Sequence, residues 1–154
     1  MKSIIFALLF LLVPKLAISQ VSETKELILS PTDKFIFLDS TNVETKSKNY
    51  AFIKVIKDSK LKQESYAVQE YYRSGALRME GTSKASNGYL YEGEVTSFYK
   101  NGTKKSLVNY SNGLAKGKNY QWYENGTKKL EGENIEDEKK KISQLKINQF
   151  WDVD

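Results

Sequence analysis

Cysteine and histidine are both missing from the 154-residue chain, and each absence removes a class of chemistry. Without cysteine an exported protein must hold its fold without disulfides, which favours a bacterial envelope or secreted protein over an extracellular animal domain. Without histidine the chain lacks the commonest general base and the commonest metal ligand. The sequence also has no glycine-rich phosphate loop and no cluster of metal-ligating residues. Glu92 and Glu94 have the spacing of paired carboxylates on one strand face. Such pairs are far commoner as surface charges than as glycosidase catalysts. The expectation is a protein with no catalytic residue, no metal and no cofactor.

Long apolar runs are scarce too. The one of note is Ile4 to Val13, preceded by Lys2 and broken by Pro14. It is too short for a permanent membrane-spanning helix. Ala17-Ile18-Ser19 then supplies small residues of the kind a signal peptidase reads. Residues 1–19 are therefore predicted to be a signal peptide, cleaved near Ser19, giving a secreted or periplasmic chain that starts at Gln20. Loss of Lys2 and Lys15 lowers the formal charge from +5 to +3. That weak excess makes no case for nucleic acid.

What remains reads as β-structure. Lys34 to Leu38 and Tyr50 to Ile56 are short runs rich in β-branched and aromatic residues. Ser65 to Tyr72 alternates, with Tyr66, Val68 and Tyr72 on one face. Leu77 to Gly81 returns from a turn at Ser74-Gly75. Ser83 to Gly88 is small and polar, hence a loop. Tyr89 to Tyr99 is a long alternating strand interrupted by Gly93, a mark of a bulge or a close backbone approach. Thr103 to Tyr110, Lys118 to Tyr123 and Thr127 to Gly132 follow, with Gly117 ending the piece before Lys118. The charge run Ile135 to Lys141 reads as a solvated loop. Ile142 to Trp151 alternates and is predicted to be a closing strand over the sheet edge; its spacing also fits a helix.

The chain is organised around a repeat. Phe98 to Lys105 and Trp122 to Lys129 share the phrase aromatic-Tyr-X-Asn-Gly-Thr-Lys-Lys, 24 residues apart. A looser copy begins at Tyr71-Tyr72, with Gly75 at the turn. Asn101-Gly102, Asn112-Gly113 and Asn125-Gly126 mark hairpins, and Asn-Gly favours a type I′ turn with φ > 0 at both residues. Each hairpin alone cannot bury a face, so stacking of neighbours should complete the core. The fold expected is all-β, an antiparallel β-meander of repeated hairpins. Its segments are a β-rich part over 20–62, the repeats over 63–133, and a charged loop with closing strand over 134–154.

These phased residues, from Tyr71-Tyr72 and Gly75 through Asn125-Gly126 to Gly132, resemble the variant MORN repeat. They are similar to proteins described as the YwqK-type antitoxin component of a toxin–antitoxin module. With the signal peptide and the Phe150-Trp151-Asp152 end, the chain resembles exported repeat proteins of Bacteroidota. The resemblance covers about half of the mature chain. It implies an antitoxin-like protein scaffold, and for the wider MORN group membrane attachment. No catalytic residue travels with it. The first repeat departs from the pattern through its longer connection and reads as an atypical cap.

Two surface features follow. Adjacent aromatics on a strand point to opposite faces. One member of each pair Tyr71/Tyr72, Phe98/Tyr99 and Trp122/Tyr123 should therefore pack inward and the other can line a surface. Lysines cluster beside them, Lys104 and Lys128 among them, either as an anion-binding patch or as solvated edge charges. The residues expected to meet a partner are Tyr72, Tyr99, Tyr123, Trp122, Lys104 and Lys128. The structural turns are Gly75, Asn101, Gly102, Asn112, Gly113, Asn125 and Gly126. Asn101-Gly102-Thr103 and Asn125-Gly126-Thr127 also fit the glycosylation sequon, but the turns explain them without sugar. The expected partner is another protein; the alternative is anionic membrane lipid or cell-surface glycan.

Overall fold

In the computed structural model the described residues are 29–137, 140 and 142–152. The predicted signal segment lies outside them. Among the described residues nine strands build one sheet: β1 (Lys34–Leu38), β2 (Phe52–Ile56), β3 (Tyr66–Tyr72), β4 (Leu77–Ser83), β5 (Tyr91–Phe98), β6 (Lys104–Ser111), β7 (Leu114–Trp122), β8 (Lys128–Asp137) and β9 (Ile142–Phe150). Their spatial order is their chain order, and neighbouring strands are antiparallel. The protein is thus an all-β meander, and β1 and β2 belong to the same sheet as the repeats.

Two expected boundaries move. Gly117 does not end a segment: it sits inside β7 with φ 74°, as Gly93 sits inside β5 with φ 75°. Both lie where the register slips against the neighbouring strand, so Gly93 marks a bulge. The charge run is not all loop, because Ile135, Glu136 and Asp137 find backbone partners in Gln144, Ser143 and Ile142 and prolong β8. Ile142–Phe150 is a strand, which settles its helix-or-strand ambiguity.

The core lies toward the β1 end of the sheet. Ile36, Leu38, Ile56, Tyr66, Val68, Met79 and Val95 form one buried cluster, with Phe52, Tyr91 and Tyr110 packed against it. Cross-strand pairing puts these side chains on one face: Ile56 faces Val68, and Met79 faces Ser97 next to Val95. The later hairpins add only Leu130 to the buried apolar set, together with the buried amides Asn119 and Asn134. Strands of the first repeat and β5 thus share this core with β1 and β2, and the later hairpins contribute little to it. Small and charged residues dominate β6 to β8, and their alternation leaves little apolar surface to bury.

The cover for the core comes from the connection between β4 and β5, which reads in sequence as an ordinary polar loop. Ser83 is fully buried. Its hydroxyl accepts the backbone N–H groups of Ala85 (3.1 Å) and Leu90 (3.2 Å). Gly88 then lies directly on Ile56 and Val68: a Cβ there would stand 2.7 Å from Ile56 Cγ1. The longer connection of the first repeat is what lets the chain fold back over its own sheet.

The hairpin turns are of two kinds, which corrects the type I′ expectation at Asn101-Gly102 and Asn125-Gly126. Tyr99 N–H donates to Thr103 C=O (2.8 Å) and Gly102 N–H to Tyr99 C=O (3.0 Å). That pair of bonds encloses Lys100, Asn101 and Gly102, and only the last has positive φ, 84°. This is a type I turn followed by a left-handed glycine, the usual three-residue hairpin. Tyr123 to Thr127 and Tyr72 to Ala76 repeat the bonding. The type I′ turn is at Asn112-Gly113, where Ser111 pairs with Leu114 and both central residues have positive φ, 50° and 81°. The closing pair decides: two enclosed residues need two positive φ values, three need one.

The repeated Asn-Gly-Thr phrase follows from this geometry. Asn101 Oδ1 accepts the Thr103 N–H (2.9 Å), and Asn125 Oδ1 accepts the Thr127 N–H (3.0 Å). The asparagine side chain thus closes its own turn. Gly102→Val puts a β-branched residue at φ 84° and is expected to cost about 2 kcal/mol. Urea unfolding measures this, with Lys100→Val, in the same loop at negative φ, as the near-neutral control.

Candidate functional site

The sequence-predicted residues fall into a ladder that ties each repeat to the next. Tyr72 donates its hydroxyl to Phe98 C=O, Tyr99 to Trp122 C=O, and Tyr123 to Trp151 C=O, each at 2.9 Å. All three rings are half-buried. Burial raises the phenol pKa of Tyr72 and Tyr123 above the ordinary value, so these groups stay protonated donors. Asn101 adds a parallel link, its Nδ2 donating to Glu124 C=O (3.1 Å). Lys104 and Lys128 stand over neighbouring rings: Lys104 is 5.5 Å from the Trp122 ring centre, and Lys128 lies 5.3 Å from Tyr120 and 5.1 Å from Trp151. Lys128 also pairs with Glu131 at 2.8 Å. Tyr72, Tyr99, Tyr123, Trp122, Lys104 and Lys128 are thus brought into one inter-repeat framework, with their polar ends largely engaged inside the protein.

Each of the three hairpins also carries one unpaired extra residue after its turn. The register slips place Arg78, Lys105 and Lys129 there. A bulge re-aims its side chain, and in every repeat that side chain is basic. Arg78 and Lys105 reach a trough on the core face of the sheet. Its volume is about 440 Å³, and it runs from β1 across to β6.

At the floor of this trough lies a charged cluster in which two cations share a carboxylate. Lys54 of β2 faces Glu70 of β3, and Lys54 Nζ is 3.2 Å from Glu70 Oε1. Arg78 Nη1 bonds the other carboxylate oxygen of Glu70. Side-chain exposure is 3% for Lys54, 8% for Glu70 and 24% for Arg78. Arg78 Nη2 donates to Asn42 Oδ1 (2.7 Å). Asn42 is presented by a loop that Asp39 organises, its carboxylate accepting the N–H groups of Thr41 and Val43. The Arg78 guanidinium lies 3.9 Å from the Phe52 ring centre, and Lys54 Nζ lies 3.9 Å from that of Tyr89.

The electrostatics of the trough are one-sided. Among its charged lining groups, Lys54, Arg78 and Lys105 are opposed only by Glu70. Burial pushes the Lys54 ammonium below the ordinary lysine value, and Glu70 works against that shift. Burial also drives the Tyr91 and Tyr110 phenols upward, Tyr91 far above the ordinary range with Glu70 adding to it. The phenols are therefore neutral hydrogen-bonding groups across the accessible pH range. Tyr91 and Tyr110 stand with ring centres 5.6 Å apart and form one wall. Glu92, whose spacing from Glu94 raised glycosidase chemistry, has its carboxylate on the Asn112 N–H (2.8 Å) and Lys84 (3.1 Å). Those contacts, the Asn112 N–H first, hold it below the usual carboxylate range.

The two ends of the sheet differ. The outer edge of β1 is covered at its C-terminal end by its own chain: Thr45 N–H donates to Phe37 C=O (2.8 Å), and Leu38 bridges to Glu44. β9 pairs with β8 on one side and with no described strand on the other. It is nine residues long and carries Ile142, Leu145, Ile147 and Phe150, each between 38% and 55% exposed. The predicted closing strand thus covers β8 and becomes the new open edge. Asn134 Nδ2 of β8 and Ser143 Oγ of β9 are buried without a hydrogen-bond partner.

Lys54, Glu70 and Arg78 escaped the sequence reading. A usable clue exists in hindsight. Lys54 interrupts an otherwise apolar strand, and Glu70 has the same parity as Tyr66, Val68 and Tyr72. A charge at core parity needs a buried partner. No family model, no curated protein and no solved structure matches this chain.

Proposed function

We propose that this chain is an exported, secreted or periplasmic, non-enzymatic repeat scaffold that binds another protein, antitoxin-like in the manner of the variant MORN repeats it resembles. The observation that carries the reading is the open β9 edge. An edge strand exposes a row of free N–H and C=O groups, and proteins ordinarily blunt such edges with charge, proline, bulges or covering chain. β1 is covered at its Phe37-Leu38 end; β9 has a bulge at Asn148 but offers Lys146 as its only charge and several exposed apolar side chains. The matching occupant is an extended strand of a partner protein, added to the sheet by backbone pairing. Its apolar side chains would lie against Leu145 and Ile147, with an acidic residue near Lys146.

Capture of envelope proteins by the full-length chain, compared with Ile147→Lys, tests this. Ile147 is exposed, so the variant keeps the fold while placing charge in the docking row. A stoichiometric protein held by the parent and lost by Ile147→Lys is the expected result. Retention by the variant would overturn the proposal. So would a self-associated dimer that the variant dissolves, or pelleting with anionic vesicles, lost at high salt, in place of a protein partner.

A further inference from the structure

We infer that the trough over Lys54, Glu70 and Arg78 is a binding site for an acidic sugar, a uronate-type saccharide whose carboxylate meets Arg78 and Lys105. The site is distinct from the β9 edge. Its first argument is charge. A buried ammonium and a half-buried guanidinium share one carboxylate, and Lys105 adds a third cation at the rim. Burying charge is costly unless it is paired and hydrogen-bonded. The cluster holds an excess of positive charge that an incoming carboxylate would balance. Arg78 is held in place from two directions, since its two terminal nitrogens bond Glu70 and Asn42 and Phe52 supports its plane. A guanidinium fixed in this way still has further N–H donors to offer a carboxylate.

The second argument is what the rest of the trough can offer. On the face of a sheet the backbone groups are already bonded within the ladder, so a ligand meets side chains alone. Here these are the phenols of Tyr91 and Tyr110, the hydroxyls of cross-strand partners Ser97 and Ser106, and aromatic faces. A peptide lying there would leave its own amides poorly matched. A saccharide presents hydroxyls to the phenols and serines and its C–H face to a ring. The volume, about 440 Å³, is within the ordinary range for small-ligand clefts.

Titration calorimetry on the mature chain with digalacturonate tests the inference, with cellobiose, diglutamate and inorganic phosphate as comparison probes. The expected result is binding of digalacturonate at least about tenfold tighter than cellobiose, weakened about tenfold by Lys105→Ala, as for loss of one charge-assisted contact. Lys105 is exposed, so an unchanged melting curve will show that the variant folds. Ile147→Lys should bind the sugar as the parent does, which separates this site from the protein-docking edge. The inference is overturned if cellobiose binds equally, or if Lys105→Ala binds as well as the parent. Binding of diglutamate or phosphate in preference to the uronate would also overturn it, as would no binding of digalacturonate at concentrations on the order of 10 mM.

Discussion

Glu70→Gln is expected to lose about 3–5 kcal/mol of folding stability, the cost of leaving a buried charge without its counterion. Against a typical total of roughly 5–15 kcal/mol this is a large fraction. The change is nearly isosteric, so packing is preserved and the loss is electrostatic. Lys54, with 3% of its side chain exposed, would face no carboxylate, and Arg78 would keep Asn42 and the Phe52 ring but no counterion. Lys54→Met should be much milder, because Glu70 retains Arg78. The pH dependence adds a second readout. The folded-state pKa of Lys54 lies below its ordinary value near 10.5. As pH rises between those two values the folded protein gives up the proton first, the unfolded chain holds more protons, and stability increases. Removing the opposing influence of Glu70 widens that window. Glu70→Gln should therefore regain stability as pH approaches about 10, more than the parent does. Above that, Tyr91 reverses the trend, since its raised phenol keeps a proton that the unfolded chain has lost. Urea midpoints across this range measure both effects.

Gly88→Ala is expected to cost about 2–4 kcal/mol, combining a strained backbone with an overpacked contact. Gly88 has φ +74°, and an added Cβ would stand 2.7 Å from Ile56 Cγ1 and 3.5 Å from Val68 Cγ2. Ile56 and Val68 are both fully buried and lie in mid-core, so neither can yield cheaply. The loop would have to lift, uncovering the cluster it protects and displacing Tyr89 from Lys54. Gly75→Ala is the informative comparison: its φ is similarly positive at 88°, but nothing lies within 4 Å of an added Cβ. The difference between the two variants isolates the contact from the backbone strain. Thermal melts of both, with dye binding as a probe of exposed apolar surface, give the comparison.

These two sites show what the sequence displayed and what it concealed. Alternation marked nearly every strand, since a half-buried sheet imposes a period of two. The Asn-Gly pairs located three hairpins correctly. Turn type was less legible, because it depends on which residues close the loop across strands, and Asn101-Gly102 and Asn112-Gly113 look alike until Tyr99–Thr103 and Ser111–Leu114 are seen to pair. The cover over the core was illegible because Ser83 to Gly88 is polar and small, like any solvent loop, and its meaning comes from the depth at which Ser83 and Gly88 sit. The trough joins β2, β3 and β4 through register alone. Only the bulge at Arg78 turns a basic residue of the repeat phrase toward Glu70. The repeated aromatic phrase, conspicuous as a candidate surface, also links the repeats to one another. Tyr72, Tyr99 and Tyr123 each reach a carbonyl of the next unit.

The central proposal is that a protein partner adds a strand to β9, and amide hydrogen exchange of the full chain tests it most directly. In the free protein the β9 amides that point away from β8 should exchange rapidly, because nothing described pairs with them. With the captured partner bound, those alternate amides between Ile142 and Phe150 should become protected, while the outer edge of β1 stays as it was. Protection elsewhere, with the outward β9 amides exchanging as fast as in the free chain, would contradict the proposal.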